Sequence, residues 1–229
     1  MPNSLIVAID GPAGVGKSTV ARLLAQELEV PVLDTGAMYR TVALEVLGRG
    51  LDPDDGAAAE AVCAGIDLDM RLAADGRFEI LLDGEPVGQR IRTPEVSEAA
   101  SRVSTHPGVR ARMVELQRRT AARKGAVLEG RDIGTVVFPH TPHKFFLTAR
   151  PEVRAARRHR ELAAAGKEVA FAEVLADLET RDERDESRAT SPLRQDETYT
   201  VVDTSDLAPA EIVARMAAII RERAAPSGS

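Results

Sequence analysis

The stretch Gly11-Pro12-Ala13-Gly14-Val15-Gly16-Lys17-Ser18, hereafter the phosphate-binding loop, decides the fold of this chain. It matches G-x-x-x-x-G-K-S/T at every fixed position and lies between an apolar run over residues 5–9, which predicts a buried strand, and a helix predicted from Thr19. Glycines let successive backbone N–H groups point at one phosphate, and the positive end of the helix adds to the attraction. We expect Lys17 to reach the β- and γ-phosphates and the Ser18 hydroxyl to ligate Mg²⁺. The sequence therefore predicts a nucleoside triphosphate site.

Length and composition favour one compact domain. The chain has 229 residues, of which 44 % are hydrophobic, and no linker-like stretch divides it, so residues 1–229 are expected to share one substantial core. The net charge of −6 gives no general attraction to nucleic acid. The single cysteine, Cys63, excludes an internal disulfide. Because no apolar stretch is typical of a secretion signal or a membrane span, we expect a cytoplasmic protein without a membrane partner. We expect a monomer because no large exposed apolar stripe is readable.

Apolar runs alternate with helical patterns, which predicts an α/β protein with a parallel sheet covered by helices. The core strands are predicted at residues 5–9, 30–33, 126–129, 144–148 and 199–203, and a helix follows the second of them at about residues 37–47. Two segments break the alternation. Asp-Gly turns within residues 66–87 indicate a small antiparallel insert, and residues 151–169 form an arginine-rich helical segment.

The common classes of nucleoside triphosphatase fit this chain poorly. A GTPase reads guanine with an Asn-Lys-x-Asp segment, whereas the only asparagine here is Asn3. A transporter-type or motor ATPase carries a long apolar strand that ends in Asp, often followed by Glu. The nearest candidate is the short run that ends at Glu129, which can act near the metal but is a weak signal.

Residues 33–40 provide groups that can hold a second anionic substrate. They follow a predicted strand, and ligands of open parallel sheets bind at the carboxyl ends of the strands. We expect Thr35 at the N-cap of a helix and Arg40 on its first turns, where a hydroxyl and a guanidinium can together hold a phosphate. The alternative is an ordinary capped helix with a solvated arginine.

Two further polar segments have the same character. Gly130-Arg131-Asp132-Ile133-Gly134-Thr135 follows another predicted strand, and its adjacent Arg and Asp can serve a phosphate and a base amino group. In residues 181–188 a helix would place Arg181, Asp185 and Arg188 on one face. The alternatives are a surface turn with a local ion pair for the first segment and a solvated charged face for the second.

Together, Leu33-Asp34-Thr35-Gly36-Ala37-Met38-Tyr39-Arg40, Gly130-Arg131-Asp132-Ile133-Gly134-Thr135-Val136-Val137-Phe138-Pro139 and residues 181–188 resemble the bacterial cytidylate kinase family, with the insert before Thr93. The resemblance covers about residues 5–220. It implies a P-loop nucleoside monophosphate kinase with a five-stranded parallel sheet flanked by helices, an antiparallel insert in the NMP-binding region and a short helical lid. The implied core spans about residues 1–36, 99–150 and 170–223, the NMP-binding region about 37–98, and the lid about 151–169.

The resemblance also implies roles for particular residues. ATP would bind Gly11, Pro12, Ala13, Gly14, Val15, Gly16, Lys17, Ser18 and Thr19, with Mg²⁺ as cofactor at Ser18. CMP or dCMP would bind Thr35, Arg40, Ser101, Arg110, Arg131, Asp132, Arg181, Asp185 and Arg188. Lys17, Arg131 and one of the lid arginines Arg157 and Arg158 would act on the transferring phosphoryl group.

Other functions remain open from the residues alone. Within the same fold the acceptor can be UMP, AMP or a small metabolite such as shikimate. A nucleotide-binding switch without turnover is a different class, but the D-x-x-G pattern that senses a γ-phosphate is absent. Phosphoryl transfer to a phosphate oxygen, already anionic near neutral pH, requires no catalytic base. This fits a chain with many arginines in the candidate segments and no Cys or His nucleophile arrangement.

Overall fold

Two sheets organise the protein. The computed structural model describes residues 5–122, 124–188 and 190–224. Its strands are β1 (Ile6–Asp10), β2 (Val32–Asp34), β3 (Leu68–Leu72), β4 (Phe78–Leu82), β5 (Glu85–Pro86), β6 (Ala126–Gly130), β7 (His143–Thr148) and β8 (Thr200–Asp203). A parallel sheet has the order β2-β6-β1-β7-β8, and β3, β4 and β5 form a separate antiparallel sheet. The predicted α/β class, the five core strands and the antiparallel insert are confirmed.

Helices cover both faces of the parallel sheet. They are α1 (Lys17–Glu27), α2 (Thr35–Gly48), α3 (Gly56–Gly65), α4 (Pro94–Val103), α5 (Pro107–Ala121), α6 (Pro151–Ala164), α7 (Phe171–Ser187) and α8 (Pro209–Ala224), with a 3₁₀ turn at Gly88–Ile91 and a π-helical turn at Ile133–Val137. In β1, Ala8 packs into the core under α2 and α5, whereas Val7 and Ile9 pack into the core under α1 and α8. Both faces are therefore buried, as the continuous apolar run in this strand predicts.

The phosphate-binding loop joins β1 to α1 through glycines with positive φ. Gly11, Gly14 and Gly16 have φ values of 148°, 77° and 92°, which L side chains rarely adopt. Gly11 also approaches β7 closely, because a Cβ at this position would lie 2.3 Å from the carbonyl oxygen of Leu147. Glycine is therefore required at the point where the loop leaves the sheet.

The antiparallel insert touches β2, one of the two outer strands of the parallel sheet. Its inward side chains Leu68, Ile80 and Leu82 are buried. The turn between β3 and β4 returns to β2, where the Val32 N–H donates to the Gly76 carbonyl over 3.1 Å. The insert is thus attached to the strand that leads directly into α2.

Helices α6 and α7 pack beside the phosphate-binding loop. Ala155, Val174 and Leu178 form a small apolar cluster with Ala13 of the loop. The predicted arginine-rich helix is confirmed as α6, while the boundaries of core, NMP-binding region and lid stay predictions. None of the described helices combines the length and apolar character that a bilayer crossing requires.

Two predictions about helix ends are wrong. The N-cap of α2 is Asp34, whose carboxylate accepts from the Ala37 N–H over 2.9 Å, and Thr35 is the first helical residue. Helix α7 ends at Ser187, and Arg188 follows it with φ −53° and ψ 135°. Arg188 therefore does not lie on the helical face of Arg181 and Asp185, although its Nη1 is still 3.6 Å from an Asp185 carboxylate oxygen.

Candidate active site

The candidate site residues come together at the carboxyl edge of the parallel sheet. The register places Asp10 beside Gly130, and Asp34 beside Glu129. The phosphate-binding loop, the start of α2 and the loop from Arg131 onward therefore begin side by side. This is the edge at which open parallel sheets bind ligands.

Lys17 is folded back onto the phosphate-binding loop. Its Nζ donates to the carbonyl oxygens of Gly11 and Pro12 over 2.7 and 2.6 Å, and the residue is 7 % exposed. Burial and the nearby Arg131 guanidinium lower the pKa of Lys17, and the Glu129 carboxylate opposes them. A bound phosphate would add negative charge and favour the ammonium form.

Glu129 and Ser18 lie next to each other at the end of β6 and the start of α1. Burial, together with the charge of Asp34, raises the pKa of Glu129, and Lys17 and a hydrogen bond with the Ser18 hydroxyl oppose this shift. In the described ranges, no three His, Cys, Asp or Glu side chains gather as a ready metal site. Mg²⁺ at nucleotide sites takes few protein ligands and completes its shell with water and phosphate oxygens. The Ser18 hydroxyl backed by Glu129 fits such an ion.

The start of α2 carries the predicted phosphate contacts. Arg40 Nη2 lies 2.7 Å from Asp34 Oδ2, and Arg92 lies 3.4 Å from the same oxygen. The Thr35 hydroxyl donates to the Glu129 carbonyl over 2.6 Å. A hydroxyl has one proton, so Thr35 must leave this carbonyl before it can donate to a phosphate. Arg92 was not predicted, and nothing in its local sequence sets it apart.

Arg110 of α5 and Asp132 form a buried ion pair. The residues are 4 % and 5 % exposed, and Arg110 Nη2 donates to Asp132 Oδ2. Arg110 Nη1 also donates to the Ser104 carbonyl over 3.0 Å, and Arg188 Nη1 lies 3.5 Å from the Ser104 hydroxyl. Arg110 and Arg188 thus meet at Ser104, and Arg110 links Asp132 to them.

Asp185 of α7 connects a second group of arginines to the first. Arg131 Nε donates to Asp185 Oδ2 over 2.7 Å, and Arg188 approaches Oδ1 of the same carboxylate. Burial lowers the pKa of Arg181, and the Arg131 charge adds to this effect. Burial also lowers the pKa of Arg188. Six of the predicted CMP residues therefore form one positive cluster: Arg110, Arg131, Asp132, Arg181, Asp185 and Arg188.

Several donor atoms of this cluster lack partners. Among the described residues, the buried atoms without a hydrogen bond include Arg40 Nε, Arg110 Nε, Arg181 Nε, and Nε and Nη2 of Arg188. Four guanidinium groups (Arg110, Arg131, Arg181 and Arg188) face the two carboxylates Asp132 and Asp185. The site thus has both an excess of positive charge and buried donors that need acceptors.

Ser101 of α4 is reached by an arginine that was not predicted. Arg184 Nη1 donates to the Ser101 hydroxyl over 2.9 Å and to Glu98 over 3.0 Å. This contact joins α7 to α4 at the edge of the cluster. Arg184 lies one helical turn after Arg181 within the charged segment 181–188, so its position was a usable signal.

The lid arginines have different environments. Arg154 pairs with Asp182, and the same Asp182 accepts from the Ala13 N–H over 3.3 Å. Arg157 donates to the Thr204 carbonyl over 2.6 Å and to the Val15 carbonyl over 3.3 Å, whereas the partly exposed Arg158 pairs with Glu161. The three arginines of α6 therefore have three different sets of partners. The roles of Arg157 and Arg158 toward a phosphoryl group stay predictions.

Comparisons with known proteins agree with this site. The profile of the family described as Cytidylate kinase matches residues 7–222. A cytidylate kinase from Syntrophotalea carbinolica is 47 % identical over 224 residues, which cover 97 % of this chain and 94 % of the relative. A cytidylate kinase from Mycobacterium leprae is 48 % identical over 221 residues, 96 % of each chain.

A solved structure supports the fold. The crystal structure of an uncharacterized protein from Eubacterium ventriosum has 15 % identity and a TM-score of 0.56, over 96 % of this chain and 99 % of that one. The sequence relatives show the family as well as the fold, because they match almost the whole chain and are identical to it at nearly half of all positions. The chain belongs to the cytidylate kinase family of ATP-dependent nucleoside monophosphate kinases.

Proposed function

We propose that the protein transfers the γ-phosphoryl group of ATP to CMP or dCMP, giving ADP and CDP or dCDP. The phosphate-binding loop and Thr19 hold the triphosphate. The acceptor lies on the positive cluster, with its phosphate toward Thr35, Arg40 and Arg131 and its sugar toward Arg181 and Asp185. Ser101, Arg110, Asp132 and Arg188 surround the base.

The observation that carries this proposal is the set of buried guanidinium atoms without partners. A buried donor left unpaired costs about 1–3 kcal/mol, and Arg110, Arg181 and Arg188 each have at least one. Such a cluster is favourable only when a ligand supplies acceptors and negative charge. A nucleoside monophosphate supplies both, through its phosphate and its base.

The choice of cytosine follows from hydrogen-bond chemistry. Cytosine has an amino donor at N4 beside the acceptors N3 and O2, whereas uracil has an acceptor at O4 beside an N3–H donor. A cytosine site therefore needs a carboxylate toward N4 and guanidinium groups toward N3 and O2. Arg110 contacts both Asp132 and Ser104, and Arg188 also contacts Ser104, so Asp132 and Arg188 are the candidates for these two roles.

The chain's contribution to transfer is positioning and charge stabilisation. Lys17 leaves the carbonyls of Gly11 and Pro12 to neutralise the phosphoryl oxygens, and Arg131 does so from the acceptor side. The acceptor is a phosphate oxygen that is already largely ionised, so no side chain has to remove a proton from it. Movement of α6 would bring Arg157 or Arg158 inward and exclude water from the transferring group.

Mg²⁺ is the proposed cofactor, held by the Ser18 hydroxyl with Glu129 behind it. When bound, it would offset negative charge on the triphosphate oxygens.

The test compares kcat/KM for CMP and UMP in the wild type, Asp132→Ala and Arg188→Met. Uracil leaves buried groups unpaired at about 1–3 kcal/mol each, or about 5- to 150-fold in kcat/KM. We expect kcat/KM for CMP divided by kcat/KM for UMP to be well above one in the wild type and smaller in both variants. Arg112→Met is the matched control, because Arg112 also lies on α5 but donates to the carbonyl of Ile66, away from Asp132 and Arg188.

Equal losses on CMP and UMP in Asp132→Ala and Arg188→Met would mean that the two residues orient phosphate or lid, and that the base is read elsewhere. A coupled assay of ADP release with a panel of monophosphates and shikimate identifies the acceptor. We also propose that the protein acts as a monomer in the cytoplasm, which light scattering and cell fractionation would test.

A further inference from the structure

Asp10 is a buried residue that lies between the phosphate-binding loop and the turn that follows Asp132. It is the last residue of β1 and directly precedes Gly11. Its Oδ1 accepts from the Ile133 N–H over 2.8 Å, and its Oδ2 accepts from the Gly134 N–H over 2.8 Å and the Tyr199 hydroxyl over 2.7 Å. Burial raises the pKa of Asp10 to about 6, and the three donors oppose this shift. Both oxygens of this buried carboxylate thus accept hydrogen bonds from other segments of the chain.

The two N–H groups that Asp10 holds belong to the first turn of the π-helical segment Ile133–Val137. They have no partner within such a turn, so a carboxylate there stabilises the start of the helical segment. Asp132 immediately precedes them, and its own carbonyl accepts from the Val136 N–H over 2.9 Å. The position of Asp132 therefore depends on where the turn begins.

Tyr199, which immediately precedes β8, also donates to Asp10. The tyrosine is 8 % exposed, and its ring packs edge-on against Phe146 at 6.0 Å, with the Lys144 ammonium 5.9 Å from the ring centroid. A Cβ on Gly134 would lie 2.5 Å from the Tyr199 hydroxyl oxygen. Glycine at this position is therefore what allows the tyrosine to reach the carboxylate.

We propose that Asp10 and Tyr199 are positioning residues that fix Asp132 relative to the phosphate-binding loop and thereby set the discrimination between cytosine and uracil. Both side chains are buried, so we expect neither of them to contact a nucleotide. Asp10 links the loop that holds the donor, through Gly11, to the turn that presents the base-reading carboxylate. This inference rests on the proposed function of Asp132.

The physical reason for an effect on selectivity is the geometry of hydrogen bonds. Without the anchor, the first turn of Ile133–Val137 gains alternative positions, and Asp132 moves with it. A carboxylate displaced by about 1 Å from the N4 amino group loses most of a hydrogen bond that uracil never makes. The variants therefore lose more on CMP than on UMP.

The experiment measures kcat/KM for CMP and UMP in Tyr199→Phe and Asp10→Asn. Tyr199→Phe removes one donor and keeps the packed ring. Asp10→Asn places an amide N–H₂ against one of the two backbone N–H groups, so one of these bonds is lost. We expect the CMP/UMP ratio to fall about 3-fold in Tyr199→Phe and on the order of 10-fold in Asp10→Asn.

Thr141→Val is the matched control. Its hydroxyl donates to the Ile6 carbonyl over 2.6 Å. Thr141 therefore holds the chain after the π-helical segment to the first residue of β1, at the end of the strand opposite to Asp10. We expect Thr141→Val to lower the melting temperature and leave the ratio unchanged.

A melting-temperature loss in Tyr199→Phe with a CMP/UMP ratio within twofold of the wild type would overturn the proposal and leave the pair a purely structural role. Tyr199→Phe decides the question if Asp10→Asn does not fold. The ratios of the wild type and Asp132→Ala, measured in parallel, report independently on whether Asp132 reads the base.

Discussion

Removal of the Asp132 carboxylate should destabilise the protein strongly even without substrate. In Asp132→Ala, the Arg110 guanidinium stays buried and loses its ionic partner. Breaking a buried pair in this way costs about 3–5 kcal/mol. Arg110 keeps its 3.0 Å bond to the Ser104 carbonyl, so we expect the lower end, about 3 kcal/mol. Each kcal/mol lowers the Tm of a domain of this size by about 2–4 °C, which gives roughly 6–12 °C.

The double variant Arg110→Met/Asp132→Ala separates the lost charge balance from lost packing. It removes the uncompensated guanidinium and fills its space with an apolar chain, so we expect it to recover about 1–2 kcal/mol relative to Asp132→Ala. Urea unfolding followed by circular dichroism measures both differences. Asp206→Ala is the control, because the exposed Arg150–Asp206 pair should leave the urea midpoint unchanged. A loss below about 1 kcal/mol, or a double variant no more stable than the single one, would refute the reasoning.

Three other outcomes are expected. Lys17→Met should reduce kcat by several powers of ten while calorimetric CMP affinity changes little; turnover within tenfold of wild type would contradict the role of Lys17. Arg158→Ala should slow transfer without lowering the Tm, whereas Arg157→Ala should also cost about 1–3 kcal/mol of stability, because Arg157 donates to two buried carbonyls. Burial, with the charge of Arg223, lowers the pKa of His143, so its neutral form stabilises the fold above pH about 6.5 and this contribution is lost as the pH falls. The stability of the wild type relative to His143→Gln should therefore decline from pH 7.5 to pH 5, and a difference that does not vary with pH would exclude this linkage.

Much of the fold could be predicted because its signals are local. The phosphate-binding loop has a fixed spacing, and short apolar runs that end in polar residues mark strands of a parallel sheet. The Asp-Gly turns likewise locate the antiparallel insert. The helix end at Asp34 was missed because Asp and Thr are similarly good N-cap residues. Which of the two residues caps α2 depends on where β2 ends, and residue propensities do not determine that position.

The contacts between distant residues could not be read from the sequence. Asp10 and Tyr199 are 189 positions apart, and no motif pairs them. Arg92 meets Asp34 only because the turn after the insert returns to α2. The pairing of Arg110 with Asp132 depends on how α5 crosses the sheet, so the residues alone left it open and only the family resemblance suggested a shared site.

The contact between Val32 and Gly76 also bears on how the protein behaves at high concentration. β2 is one of the two outer strands of the parallel sheet, and an outer strand with unpaired N–H groups is a template on which another chain can add a strand. Here the strand is three residues long, and its Val32 N–H is already used by the insert turn. Shortening the turn that includes Asp75 and Gly76 would uncover this edge, so such a variant should aggregate at concentrations that the full chain tolerates.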